Sequence, residues 1–159
     1  MKPTDYLALS IATCGVGYLP LAPGTWGSLV AVGIFLLLAR TTPPNALVAV
    51  VLVAIVVVTF VGIWAATRTE QLSGRKDPGK VVVDEVAGQF IALFPLTLFT
   101  RWSTLAVIVS FILFRFFDIV KPYPANRLQE LHGGAGVMFD DLVAGVYGAV
   151  IVSIMLRFF

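Results

Sequence analysis

Residues 45 to 66 form an apolar run with no charged side chain anywhere in it. A helix needs about 20 such residues to cross a bilayer core roughly 30 Å thick, and 18 or more without a charge is the usual threshold. This stretch alone commits the chain to a membrane. Composition agrees, since 58% of the residues are hydrophobic and only 13% are charged, where a soluble domain carries about 25% charge. Shorter apolar stretches cover 25–39, 86–99, 104–114 and 142–156. Pro/Asn and Arg/Trp/Ser breaks at 42–45 and 100–103 separate them, as expected if exposed backbone is kept out of lipid.

The expected fold is all-α, a polytopic membrane helix bundle with three to five spans and an amphipathic N-terminal helix. That first helix, over 4–19, is expected to lie on the membrane or to cover the inner side of the bundle. The length of 159 residues fits a single domain over 1–159. A formal net charge of +2 is too weak for the basic stripe of a nucleic-acid binder. One cysteine, Cys14, forms no intramolecular disulfide and no structural zinc site.

Lys and Arg collect on the cytoplasmic side of membrane proteins. If all five stretches cross with the N-terminus inside, Lys2, Arg68, Arg75, Lys76, Lys80, Arg115, Lys121 and Arg127 fall inside, against Arg40, Arg101 and Arg157 outside. The asymmetry sets the orientation. The segment from Arg68 to Lys80 reads as a polar loop, whose positive charge either attracts anionic headgroups, with Lys80 as a contact, or simply fixes topology.

In so apolar a chain the few acids carry the information. Five of the nine fall in three short places: Asp84 and Glu85 in VVVDEVAG, Asp118 in FRFFDIVKPYP, and Asp140 and Asp141 in GGAGVMFDDLVAG. Each place lies at an edge of an apolar stretch expected to face the cytoplasm. A carboxylate at bilayer depth costs about 2.5 to 3.5 kcal/mol, so five left unpaired would exceed an ordinary stability margin. They must share partners.

Arg115, Asp118 and Lys121 are spaced to lie near one helix face, and that helix should stop close to Pro122. Two cations do not neutralise five acids. The excess of hard oxygen ligands suits magnesium or another divalent cation, magnesium being the natural choice where phosphate is also bound. Neighbouring acids diverge by about 100° around a helix. Within each pair, one member can ligate metal while the other orients a ligand or acts as base, and spacing does not say which. A plainer reading makes Asp140 and Asp141 helix N-terminal charges following a glycine-rich turn.

Two glycine-rich segments remain. GYLPLAPGTWGS over 17–28 breaks the first helix, and its Thr25 and Ser28 either cap the next helix or offer hydroxyls to a phosphate at a helix N-terminus. No Gly-Lys-Ser/Thr follows, so it is not a nucleotide phosphate loop. His132, the single histidine, precedes Gly133 and is either a polar surface group or a proton shuttle.

PLAPGTWGS (20–28), VVVDEVAGQFIAL (81–93), FRFFDIVKPYP (114–124) and HGGAGVMFDDLVAG (132–145) together resemble, in order, the signature blocks of the bacterial phosphatidylglycerophosphatase A family. The resemblance implies a magnesium-dependent lipid phosphatase that removes the terminal phosphate of phosphatidylglycerophosphate. It also implies an all-helical fold in the bacterial inner membrane, with the site facing the cytoplasm. Carried onto these positions, it makes Asp84, Glu85, Asp118, Asp140 and Asp141 the metal and catalytic acids, with Arg115 and Lys121 beside the phosphate. The working assignment gives metal binding to Asp84, Asp118, Asp140 and Asp141, and proton transfer to Glu85 or a spare Asp such as Asp141. Arg115 and Lys121 neutralise the phosphate, and Thr25, Ser28, Lys80 and His132 are further substrate contacts.

Elimination points the same way. A cysteine phosphatase needs Arg six residues after the nucleophile, where this chain has Pro20. A phosphatase of the Asp-x-Asp type needs a second acid where this chain has Val120. A histidine phosphatase needs more than His132. What remains is metal-assisted attack of water on phosphorus. The expected partners are a phospholipid substrate and the membrane, without an obligate protein subunit. The competing functions are a small cation transporter, which predicts acids at mid-span, and a noncatalytic membrane subunit.

Overall fold

The computed structural model describes residues 1–99 and 102–158, and those residues are helical wherever they are regular. In chain order the helices are α1 (Pro3–Thr13), α2 (Pro23–Thr41), α3 (Pro44–Ser73), α4 (Val83–Leu93), α5 (Thr104–Val120), α6 (Ala125–Leu128) and α7 (Gly134–Phe158), with a 3-10 segment (Phe94–Leu98) continuing α4. Proline supplies the start of α2 and α3, where its missing N–H costs nothing. Ser103 caps α5 by accepting from the Ala106 N–H at 3.3 Å. That helix ends at Val120, with Lys121 turning into left-handed backbone (φ 45°) just before Pro122, as expected.

Three helices, α2, α3 and α7, are long and apolar enough to cross a membrane. Helix α4 with its 3-10 extension reaches about 26 Å, as does α5, both a little short of the hydrocarbon core. Pro95 falls in the 3-10 segment, so the expected kink takes the form of a change of helix type. Phe60 is 70% exposed on α3, a large ring that only lipid would cover. The outside of the bundle is therefore its apolar face.

Helix α3 departs from expectation. It continues without a break to Ser73 and closes on Gly74 (φ 65°), so Arg68 to Ser73 are helical and only 74–82 form a loop. At 30 residues it is about 45 Å long, and its last turns project past the hydrocarbon. There α1 packs against it through Ala8 and Ala12, which are fully buried. Arg68 fixes the contact, with Nη2 2.7 Å and Nε 2.9 Å from Asp5 Oδ1. The first helix thus covers the end of the bundle. The Lys2 backbone N–H and then Arg68 hold the Asp5 carboxyl below its usual range.

Helix α4 sits in the middle, packed by α2, α3, α5 and α7. Its Phe90 and Leu93 join Phe35, Val51, Leu96 and Val152 in the main core. It meets α7 through glycine: a Cβ on Gly145 would stand 2.3 Å from the Gly88 carbonyl oxygen, and one on Gly88 would stand 2.5 Å from that of Asp141. Small residues let membrane helices approach this closely. The chain direction alternates, so α2, α4 and α7 begin at the end of the bundle where α3 and α5 finish. All five acids lie at that end. So do eight of the cations, with Arg40 and Arg157 opposite; Arg101 lies outside the described residues.

Candidate active site

The loop after α3 is pinned where the Val82 N–H donates to Ala12 O at 2.8 Å. Helix α4 starts at once, placing Asp84 and Glu85 in its first turn, where free N–H groups favour negative charge. Asp140 and Asp141 sit differently. Helix α7 begins at Gly134, whose N–H donates to Thr67 Oγ1 at 2.8 Å, so these acids are already in its second turn. They are wall residues facing α4 and α5, and the helix-terminus reading does not hold for them.

The Gly88/Gly145 contact brings α4 and α7 together just below their acids. Asp84, Glu85 and Asp141 each offer a carboxylate oxygen within 4.8 Å of the others. Asp84 and Asp141 are buried, 8% and 2% exposed. Asp84 Oδ1, Glu85 Oε2 and Asp141 Oδ2 have no hydrogen-bond partner among the described residues. Three crowded carboxylates with unspent oxygens in a poorly solvated place are a candidate cation site. An all-oxygen set suits a hard divalent ion, and these three residues fit one. Glu85 joins Asp84 and Asp141 in this group, and Asp118 and Asp140 are each paired with a side-chain cation.

Arg115 Nη1 lies 2.6 Å from Asp118 Oδ2 and 3.9 Å from Glu85 Oε1. The Arg115 and Asp118 half of the expected ladder therefore forms within α5. Lys121, turned out of the helix, reaches across to form a short ion pair with Asp140 Oδ2 on α7. Burial alone would lower the lysine pKa. The hydrogen bond to Asp140, with the fields of Asp140, Asp141 and Asp118, outweighs it and keeps the ammonium charged above the ordinary lysine range.

Helix α2 aims its N-terminus at the same place. A Cβ on Gly24 would lie 2.0 Å from Glu85 Oε1 and 2.8 Å from Arg115 Nη1. The PLAPGTWGS segment is therefore part of the site wall, with Gly24 against the ends of the Glu85 and Arg115 side chains. Thr25 follows it, half-buried. Ser28 is fully buried and donates to Gly24 O at 2.9 Å, so its hydroxyl is spent inside α2. Lys80 stands 5.6 Å over the Tyr18 ring. His132 lines a surface hollow with Glu70, Gly74, Arg75, Lys76 and Gly133, which none of the five acids lines. These two residues are not gathered with the carboxylates.

Cys14 lies close enough to feel Glu85. Burial first, and that carboxylate second, push its thiol up to about 11, so it stays protonated at neutral pH, with Sγ donating to Ile11 O at 3.3 Å. Sequence reasoning did not single out the Asp5 and Arg68 tie or Gln89, which is fully buried on α4 with both polar atoms unpartnered among the described residues. Gln89 alone left a visible signal, an amide in the middle of VVVDEVAGQFIAL.

Comparison with known proteins agrees with this geometry. The phosphatidylglycerophosphatase A family model matches residues 10–156. A Bacteroides thetaiotaomicron protein named "Putative phosphatidylinositol-3-phosphatase" is 42% identical over 97% of this chain and 96% of its own. Proteins named phosphatidylglycerophosphatase A from Haemophilus influenzae and Escherichia coli are 33% and 36% identical, over 96% and 85% of this chain and 88% and 74% of theirs. No solved structure matches. With a family match along nearly its whole length and buried acids gathered beside two cations, the chain belongs to the phosphatidylglycerophosphatase A family of phosphatases.

Proposed function

We propose that this phosphatase hydrolyses the terminal phosphate monoester of phosphatidylglycerophosphate to phosphatidylglycerol and phosphate. In this reading magnesium is the cofactor, held by Asp84, Glu85 and Asp141, and the site opens at the cytoplasmic face of the bacterial inner membrane. The observation that carries it is the convergence of those three carboxylates next to Arg115. The placing of eight cations at the same end supports the orientation. Acids gathered at one end, with none at mid-span, favour hydrolysis over a cation pathway.

Once bound, a divalent cation supplies Lewis acidity toward a phosphate oxygen and makes nearby water easier to deprotonate. The protein's own groups do the rest. Arg115 presents a planar fork to the phosphate oxygens, and Lys121 a point charge. The start of α2 adds the Gly24 N–H and the Thr25 hydroxyl, Pro23 having no N–H and the Thr25 N–H being bonded to Ala22 O. A carboxylate oxygen of Glu85 or Asp141 that the ion leaves free accepts the proton of the attacking water. The acyl chains stay in lipid, so the headgroup reacts at the interface.

The name of the 42% identical relative favours a second substrate, phosphatidylinositol 3-phosphate, with the same monoester chemistry. The test is phosphate release in detergent micelles from phosphatidylglycerophosphate, phosphatidylinositol 3-phosphate and phosphatidic acid, with and without magnesium. Magnesium-dependent release that is fastest from phosphatidylglycerophosphate is expected. Preference for the inositol lipid would replace the substrate, and release unaffected by chelator would remove the metal.

A further inference from the structure

Gln89 lies four residues, one helical turn, beyond Glu85 and therefore on the same face of α4. It is completely buried, and neither Nε2 nor Oε1 has a hydrogen-bond partner among the described residues. A carboxamide offers two donors and an acceptor, and to leave all of them unspent in a poorly solvated interior is costly. Two groups one turn above share the defect. Glu85 Oε2 lacks a donor, and Arg115 Nη1 lacks an aligned acceptor even though Asp118 Oδ2 is 2.6 Å away. The Glu85 and Arg115 side chains stand 3.9 Å apart, too far for a hydrogen bond.

These defects are complementary. Glu85 needs a donor, Arg115 needs an acceptor, and the amide carries one of each. Ser28, another buried polar group of the neighbouring α2, is already bonded to Gly24 O. We infer that Gln89 is a positioning residue for the reaction, its Nε2 donating toward the Glu85 carboxylate and its Oε1 accepting from the Arg115 guanidinium, each through one water, since neither amide atom has a direct partner among the described residues. The amide holds the acid and the cation at a fixed separation, and so keeps Glu85 facing Asp84 and Asp141 instead of collapsing onto Arg115. The inference rests on the phosphatase reading above and adds to it what sets the geometry of the acid cluster.

The test replaces Gln89 with a side chain of similar length and no hydrogen-bonding groups, Gln89→Met, in the full-length protein in micelles. The expected result is a fall in kcat of about 10- to 100-fold, the range for losing a hydrogen bond to a charged group. KM should change little, and the melting temperature should fall modestly, because Glu85 and Arg115 lose a buried partner. Ser110→Ala is run in parallel, because the Ser110 hydroxyl on α5 is also fully buried and unpartnered among the described residues; its kcat should stay near wild type. Wild-type kcat in Gln89→Met, a kcat loss that disappears when the assay is run well below the variant's melting temperature, or an equal loss in Ser110→Ala would each overturn the inference. Absence of phosphate release from wild type would overturn the phosphatase reading and this inference together, so the two failures are told apart.

Discussion

Gly145 meets Gly88 backbone to backbone: a Cβ on Gly145 would fall 2.3 Å from the Gly88 carbonyl oxygen. That contact sets the distance between α4 and α7, and hence between Asp84 and Asp141 one turn away. A methyl group here has only backbone to push against. Gly145→Ala is expected to cost about 1–3 kcal/mol through overpacking, with loss of most phosphate release. Gly33→Ala is the control, since a Cβ there meets nothing within 4 Å; it should be neutral or stabilising by up to about 1 kcal/mol. Thermal melts and phosphate release on both variants check the pair, and equal behaviour would show that the close contact does not matter.

Asp84→Asn and Asp141→Asn remove one carboxylate each from a crowded, uncompensated group. Without metal, both variants should melt higher than wild type, because like charges have been relieved. Addition of magnesium should raise the wild-type melting temperature and leave the variants nearly unmoved. Phosphate release should drop by more than about 100-fold, as when a group stabilising transition-state charge is lost. A wild-type protein whose melt is indifferent to magnesium would remove the proposed cation.

Lys121→Met leaves the Asp140 carboxylate buried without its ion pair, and breaking a buried pair from one side costs about 3–5 kcal/mol. The folded lysine pKa lies above its ordinary 10.5. Its contribution to stability is therefore complete below 10.5 and fades only as pH rises through the folded value. Alkaline melts of wild type and Lys121→Met should differ by a constant amount up to that range and converge beyond it. A difference that disappears near neutrality would contradict the pairing.

Cys14 should be chemically silent. With its thiol pushed up to about 11, the reactive thiolate becomes common only as pH approaches that value, so alkylation by maleimide should be slow at neutral pH and speed up in strong base. Cys14→Ala should keep near-wild-type phosphate release. Rapid inactivation by maleimide at pH 7 would mean the thiol is more exposed and more acidic than its surroundings indicate.

Much was legible from residue order alone. The charge-free run at 45–66 required a membrane, because a bilayer core admits a helix of that length and excludes charge. The restriction of Asp84, Glu85, Asp118, Asp140 and Asp141 to the edges of apolar stretches placed a site at one end, because carboxylates are too costly at mid-depth. Proline marked a helix end correctly just before Pro122. These are local properties, set by transfer free energies and backbone sterics that each short segment carries with it.

Tertiary packing decided which acids meet. Nothing in the spacing of Asp118 and Asp140 separated them from Asp84 and Asp141 as ligands; the pairing of Asp118 with Arg115 and of Asp140 with Lys121 depends on where α5 and α7 come to rest. Glu85 joins the cluster because α4 is clamped by α7 through Gly88 and Gly145. That approach is fixed by the absence of side chains at positions far apart in the chain. Hydropathy sees such glycines only as neutral gaps, and their meaning exists only once the helices are side by side.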